Sequence, residues 1–157
     1  MPVLRDFASS TAILVSSCYA FFDAWKPFAE FFVKFWPDCP LEIFLLTNQL
    51  AVKSQRIQSL GVGEDRGWSS NLLVALERIP HPYVLYFQED YFLTDLVRQE
   101  QLADDFALVM ESGADSLCFR ARTGFDQGFR PLNNRFGLVP LDSDGRTVHQ
   151  IAKERRH

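Results

Sequence analysis

The stretch Tyr83-Val84-Leu85-Tyr86-Phe87-Gln88-Glu89-Asp90-Tyr91-Phe92-Leu93 constrains this chain more than any other. It opens, just after Pro80 and Pro82, as an apolar run of aromatic and β-branched residues. Such a run predicts a strand buried on both faces, the kind found in a parallel sheet. It stops at two adjacent carboxylates, Glu89 and Asp90, and then turns apolar again. A bare buried carboxylate is costly unless it is paired or holds a metal. In open α/β sheets, ligands bind just beyond the carboxyl ends of the strands. The stretch therefore predicts a divalent-cation site for a phosphorylated ligand. A solvated strand-end turn, in which the acids have no ligand, is the alternative reading.

The chain before this stretch alternates strand and helix patterns. Thr11–Ser16 reads as the first strand, followed by a small polar loop of Ser17, Cys18 and Tyr19, with Ser17 a candidate helix cap. Phe21–Trp36 reads as a helix with Phe21, Trp25, Phe28, Phe32 and Phe35 on one face. Pro27 conflicts with that span: it either kinks the helix or stands in the first turn of one that begins near it. Leu41–Leu46 reads as a second strand ending in Thr47-Asn48-Gln49, and Ile57–Val62 as a weak third. Trp68, Leu72, Leu76 and Ile79 hold helical spacing, with Ser69 or Asp65 as cap and Arg66 beside the amino-terminus, where phosphate can bind. Alternation of this kind predicts parallel βαβ units.

Past the organising stretch, Glu100–Ser112 reads as an amphipathic helix ended by Gly113, and Asp115–Arg120 as a further strand. Gly124, Gly128, Pro131, Asn133 and Asn134 mark a long loop, Phe136–Leu141 a short strand, and Asp142-Ser143-Asp144-Gly145 a turn. The basic end, Arg146–His157, reads as a solvated tail or fraying helix; contact with phosphate or an acidic membrane surface is its other reading.

Totals narrow the classes. The 157 residues fit a single domain over 1–157 with a real core. A net charge of -4 gives no footprint for nucleic acid, so no nucleic-acid partner is expected. Cys18, Cys39 and Cys118 are odd in number and show no Cys-x-x-Cys spacing, which argues against a disulfide framework or a zinc site. Met1–Asp6 lacks the order of a signal peptide, and the apolar run Thr11–Phe22 is too short to span a bilayer. The expected setting is cytoplasmic.

The order of parts resembles a glycosyltransferase of the GT-A fold, of the bacterial type that builds surface polysaccharide. Gly67-Trp68-Ser69-Ser70-Asn71-Leu72-Leu73 with Ala75-Leu76, and the Tyr83–Leu93 stretch, carry the resemblance, which covers roughly residues 11 to 120. It implies a Rossmann-like three-layer α/β/α sandwich with a mainly parallel sheet, residues 11–120 forming the nucleotide-sugar-binding core. It implies that Glu89 and Asp90 take the role of the "DXD" acids and hold manganese or magnesium against the diphosphate of a nucleotide-sugar, hard oxygen ligands suiting such an ion. Ser16, Ser17 and Tyr19 would contact the nucleotide, Thr47 and Asn48 the base or ribose, and Arg66 and Asn71 the diphosphate or sugar. A glycan or lipid-linked acceptor follows from the same resemblance, with peripheral membrane association as a further possibility.

Two features depart from the family. The motif reads Gln88-Glu89-Asp90, so its first acid is missing. The family's second half, which supplies the acceptor site and an inverting enzyme's base, has no counterpart in residues 121–157, read as an irregular, truncated acceptor region. Asp126, Asp142 and Asp144 read as turn residues, and no catalytic base is assigned. The expectation is a metal-dependent glycosyltransferase or its donor-binding amino-terminal portion. A non-catalytic donor-binding or interaction domain of the same fold is the alternative. A metal-dependent phosphohydrolase is weaker, because such enzymes want acids at other strand ends, and here those ends carry Ser-Ser and Thr-Asn.

Overall fold

A computed structural model describes residues 1–121, 130–132, 136–143 and 146–153. The chain forms two compact units, residues 2–100 and residues 101–157 with Met1.

The first unit is an α/β structure built on a four-stranded, all-parallel sheet. Its strands are β1 (Thr11–Ser16), β2 (Ile43–Thr47), β3 (Ile57–Gly61) and β4 (Tyr83–Gln88), in the order β3-β2-β1-β4. β1 lies inside and every one of its residues is buried; Ile13, Leu14 and Val15 are fully so. Each such side chain contributes about 1.5–3 kcal/mol of transfer free energy, so this strand anchors the unit. β4 is different. It stands at the sheet edge and only Leu85 is buried, so the expectation of a strand buried on both faces is corrected. An edge strand has one neighbour, and in this unit β1 is that neighbour.

A 3-10 turn, Tyr19–Ala24, separates β1 from the helix α1 (Trp25–Phe35). The expected helix over Phe21–Trp36 thus begins later, and Pro27 falls in its first turn, where a missing N–H costs nothing. Trp25, Phe28 and Phe32 form the buried stripe, while Phe21 and Phe22 are exposed. Phe28 and Phe32 both meet the Phe87 ring of β4 edge-on, at 6.1 and 6.3 Å between centroids.

The helix α2 (Trp68–Arg78) packs against the alternate strand residues: Ala75 and Ile79 cluster with Ala12, Leu14, Phe44 and Leu46. Its inward stripe runs Asn71, Ala75, Ile79, with Leu72 packed beside it, so of the expected Trp68, Leu72, Leu76 and Ile79 only Leu72 and Ile79 face the core. Ala75 is fully buried and lets the helix approach the sheet closely. Trp68 and Leu76 are consequently exposed. Neither expected cap serves as N-cap; Gly67 does, at φ 87°.

The second unit takes in most of α3 (Gln99–Ser112), which ends at Gly113 in the left-handed region (φ 65°), as its sequence predicts. Then come β5 (Ser116–Ala121), β6 (Arg130–Pro131), β7 (Phe136–Ser143) and β8 (Arg146–Lys153), in sheet order β5-β8-β7-β6. β7 and β8 form an antiparallel pair, and β8 runs parallel to β5. Ala114 and Phe136 centre a small core with Leu108, Val109, Leu117 and Leu132. The basic segment expected as a tail is therefore a strand over Arg146–Lys153; its backbone is held by partners on both sides. Asp126, Asp144, Gly124, Gly128, Asn133 and Asn134 lie outside the described residues. Among the described residues, no helix is long and apolar enough to cross a membrane.

Candidate functional site

An open cleft of about 220 Å³ lies at the carboxyl end of the parallel sheet. Ser16 ends β1 and pairs in register with Gln88, which ends β4, and both line it. Ser17, Cys18, Phe21, Leu46, Asp65, Gly67, Trp68, Asn71 and Glu89 complete the lining. The strand order explains the place. From β1 the chain builds outward to β2 and β3, then returns to the other side of β1 as β4. That reversal leaves the crevice between β1 and β4 uncovered by a connecting loop, the position at which open α/β sheets take ligands.

Glu89 sits on two boundaries. It lines the cleft, and it also borders an apolar void of about 10 Å³ walled by Val15, Trp25, Phe28, Leu45, Val52 and Ile57. Burial there pushes its carboxyl above the ordinary glutamate value. Its own backbone N–H pulls the other way, the neighbouring Asp90 charge raises it further, and the Ser17 hydroxyl lowers it. Ser17 is itself held, because the Trp25 indole N–H donates to Ser17 Oγ at 2.8 Å. The capping role expected for Ser17 is not made: the turn after β1 has Cys18 as its N-cap. Asp90 is exposed and outside the lining, so the expected acid pair is not gathered on one wall. Both acids are the central residues of a turn, closed by the Tyr91 N–H donating to the Gln88 carbonyl at 3.0 Å, and not a continuation of the strand.

The opposite wall is a clamped loop. Asp65 Oδ1 accepts from the Gly67 N–H (3.0 Å) and from the Asn71 side-chain amide (2.8 Å). Asn71 Oδ1 accepts from the Arg66 N–H at 3.2 Å. Gly67 at φ 87° makes the sharp entry into α2 that these bonds require. Asn71 is buried beneath the cleft and serves the loop, while the Arg66 side chain is exposed and does not line the cleft. Trp68, the first residue of α2, donates its indole N–H to the Tyr86 hydroxyl at 3.0 Å.

Thr47 and Asn48 lie at the end of β2 but not on the cleft surface. Both are buried, and their carbonyls accept from Val62 and Gly63. Asn48 Oδ1 accepts from the Tyr19 N–H at 3.3 Å, tying the loop after β1 to the end of β2. Among the described residues, Thr47 Oγ1 and Asn48 Nδ2 have no hydrogen-bond partner. The Tyr19 side chain is exposed and also outside the lining. Of the residues expected from sequence, the structure thus brings Ser16, Ser17, Asn71 and Glu89 into one cleft.

Apart from the Cys18 thiol, the side-chain donors are hard oxygens: two carboxylates, two serine hydroxyls and the oxygens of two amides. Among the described residues, no cluster of three or more His, Cys, Asp or Glu side chains is placed to hold a metal. Magnesium-type sites commonly use one or two protein carboxylates and complete their shell with ligand phosphates and water, and the cleft fits that pattern. Among the described residues, no lysine or arginine lines it. The site thus belongs to a class defined by a parallel α/β sheet with an acidic, strand-end cleft beside its edge strand. Comparison with family models, with curated proteins and with solved structures finds no match to this chain.

Proposed function

We propose that residues 2–100 form the donor-binding part of a GT-A-type glycosyltransferase, with the diphosphate of a nucleotide-sugar seated at the cleft between β1 and β4. The observation that carries this reading is the coincidence of the strand-order reversal with Ser16, Ser17, Gln88 and Glu89 at the two strand ends. α1 meets Phe87, and α2 meets the alternate residues Ala12, Leu14 and Val84. Right-handed crossovers that first build one way and then the other place helices on opposite faces, which supports a three-layer, Rossmann-like arrangement. Glu89 would hold manganese or magnesium, and Asp90 acts on the site through its charge. When bound, such a cation supplies positive charge that offsets the charge developing on the leaving diphosphate. The protein's own part is to orient: Ser17, positioned by Trp25, faces Glu89, and the clamped loop fixes the opposite wall. A glycan or lipid-linked molecule is the acceptor in this reading.

One observation favours a second reading, donor binding without transfer. Among the described residues, Asp65 is the one acid besides Glu89 that lines the cleft, and its Oδ1 is committed to Gly67 and Asn71. The deciding experiment is a thermal-unfolding series with manganese and a panel of nucleotide-sugars, since a ligand that binds only the folded state raises Tm. Stabilisation that needs both metal and nucleotide-sugar, and that Glu89→Ala removes, supports the donor site. Released nucleoside diphosphate in the presence of acceptor extracts separates transfer from binding alone. No stabilisation by any donor defeats both readings.

A further inference from the structure

Trp68 is misplaced for a core residue and well placed for a ligand. Its side chain is 56% exposed at the start of α2, on the wall of the cleft. An exposed tryptophan is ordinarily free to change rotamer, but this one is held. Its indole N–H donates to the Tyr86 hydroxyl at 3.0 Å, and the two rings stand perpendicular, 6.5 Å between centroids. Tyr86 belongs to β4 and Trp68 begins α2, so two rigid elements fix the plane of the indole. Ordering a large side chain before the ligand arrives removes that cost from binding. Phe21, also more than half exposed, contributes a second aromatic surface to the same cleft.

Around these rings the polar groups are carboxylates (Asp65, Glu89), amides (Asn71, Gln88) and serine hydroxyls. A planar apolar face flanked by mixed acceptors and donors, with no basic side chain among the described lining residues, suits a neutral ring that is apolar on one face and hydroxylated at its rim. We infer that Trp68 is the stacking platform for a pyranose ring, whose hydroxyls are met by Glu89, the Gln88 amide and the serine hydroxyls, while Asp65 and Asn71 hold the loop that carries the tryptophan. A quaternary ammonium would also be drawn to aromatic rings near carboxylates, but it would leave the amides and hydroxyls unused. The inference stands without the diphosphate reading, because it requires neither metal nor nucleotide.

Trp25 and Trp36 are buried, so Trp68 is the tryptophan open to a soluble quencher. The test is acrylamide quenching of the whole chain, without metal, titrated with glucose, galactose, mannose, N-acetylglucosamine, choline and uridine in separate arms. Saturation-transfer NMR on each sugar provides the second readout. The expected result is protection of Trp68 by at least one pyranose, with saturation strongest on one ring face. Trp68→Ala should weaken that sugar by about tenfold. Tyr86→Phe keeps the ring but removes the acceptor of the indole N–H, and should weaken it by about threefold. Tyr86→Phe also keeps the test decisive if Trp68→Ala fails to fold. Failure of every sugar to protect, protection by choline or uridine alone, or undiminished sugar binding in both variants overturns the inference. Protection by a free sugar upholds it even where manganese with nucleotide-sugars gives no stabilisation.

Discussion

Asn71→Ala isolates the clamp that shapes the cleft wall. Asn71 is 5% exposed and makes two hydrogen bonds, one from its amide to Asp65 Oδ1 and one to its Oδ1 from the Arg66 N–H. A neutral hydrogen bond contributes about 0.5–1.5 kcal/mol net, and one to a charged group about 1.5–3. Asp65 and Arg66 are exposed, so water recovers part of both losses. The lower end of each range applies, giving about 2 kcal/mol for the substitution. In urea titrations of the whole chain the midpoint should fall with the slope unchanged. Asn71→Asp provides the sign check. It sets a second carboxylate against Asp65 Oδ1 where the amide donated, and two like charges within hydrogen-bond reach oppose each other in the folded state. Its stability should therefore be lowest at neutral pH and recover in acid, where one carboxyl can donate to the other. A double-mutant cycle with Asp65→Ala should show coupling of about 0.5–3 kcal/mol. A loss below about 0.5 kcal/mol for Asn71→Ala, or an Asn71→Asp variant indifferent to pH, refutes the clamp.

Three further outcomes follow from the geometry. Because burial raises the folded pKa of Glu89, its ionisation costs the folded state more than the unfolded one. Stability from this group is present below the ordinary carboxylate range and lost as pH rises through the raised value, so Glu89→Gln should exceed the parent in urea midpoint at neutral pH and match it in acid. Burial pushes the Cys39 thiol up to about 11, leaving about one thiolate in a thousand at pH 8; a thiol-reactive dye should leave Cys39 unlabelled until the chain unfolds. Gly67→Ala forces a β-carbon onto backbone at φ 87°, ψ 159°, a conformation essentially restricted to glycine, and should cost about 1–3 kcal/mol by urea titration, though nothing stands within 4 Å of the added atom.

The parallel core was legible because its signal is local. Thr11–Ser16 is apolar enough to be buried on both faces, and the structure gives it those bounds. The phase of α2 was legible only in part: Leu72 and Ile79 meet the core as expected. Counting apolar residues turns Trp68 and Leu76 inward, whereas the structure buries Asn71, whose polar groups are satisfied by a loop five and six residues earlier. A polar side chain with tertiary partners counts as apolar for packing, and periodicity has no means of knowing it. β8 escaped for a related reason: its pairing with β5 joins residues more than thirty apart, and its few apolar positions carry no strong alternation. In the site, Ser16, Ser17 and Glu89 could be named in advance, since parallel topology gathers strand ends. Asp65 and Trp68 enter the cleft through the fold of a loop, and Thr47 and Asn48 leave it for the same kind of reason, covered by the residues that follow β3.

Core and site are not separable in this unit. Trp25 is a packing residue of α1, yet its indole N–H holds Ser17, and the Ser17 hydroxyl favours the ionised form of Glu89. The same Trp25, with Phe28, walls the apolar void that opposes ionisation. One helix therefore supplies both the desolvation that raises this carboxyl and, through Ser17, the hydrogen bond that restrains the rise. Trp25→Phe would keep most of the wall and delete the donor, freeing Ser17 to turn fully to the Cys18 carbonyl, which already accepts from it at 3.3 Å. The aromatic stripe read as plain core is thus also the means by which α1 sets the charge at the end of β4. That coupling is why packing changes well below the cleft surface should register in whatever binds above it.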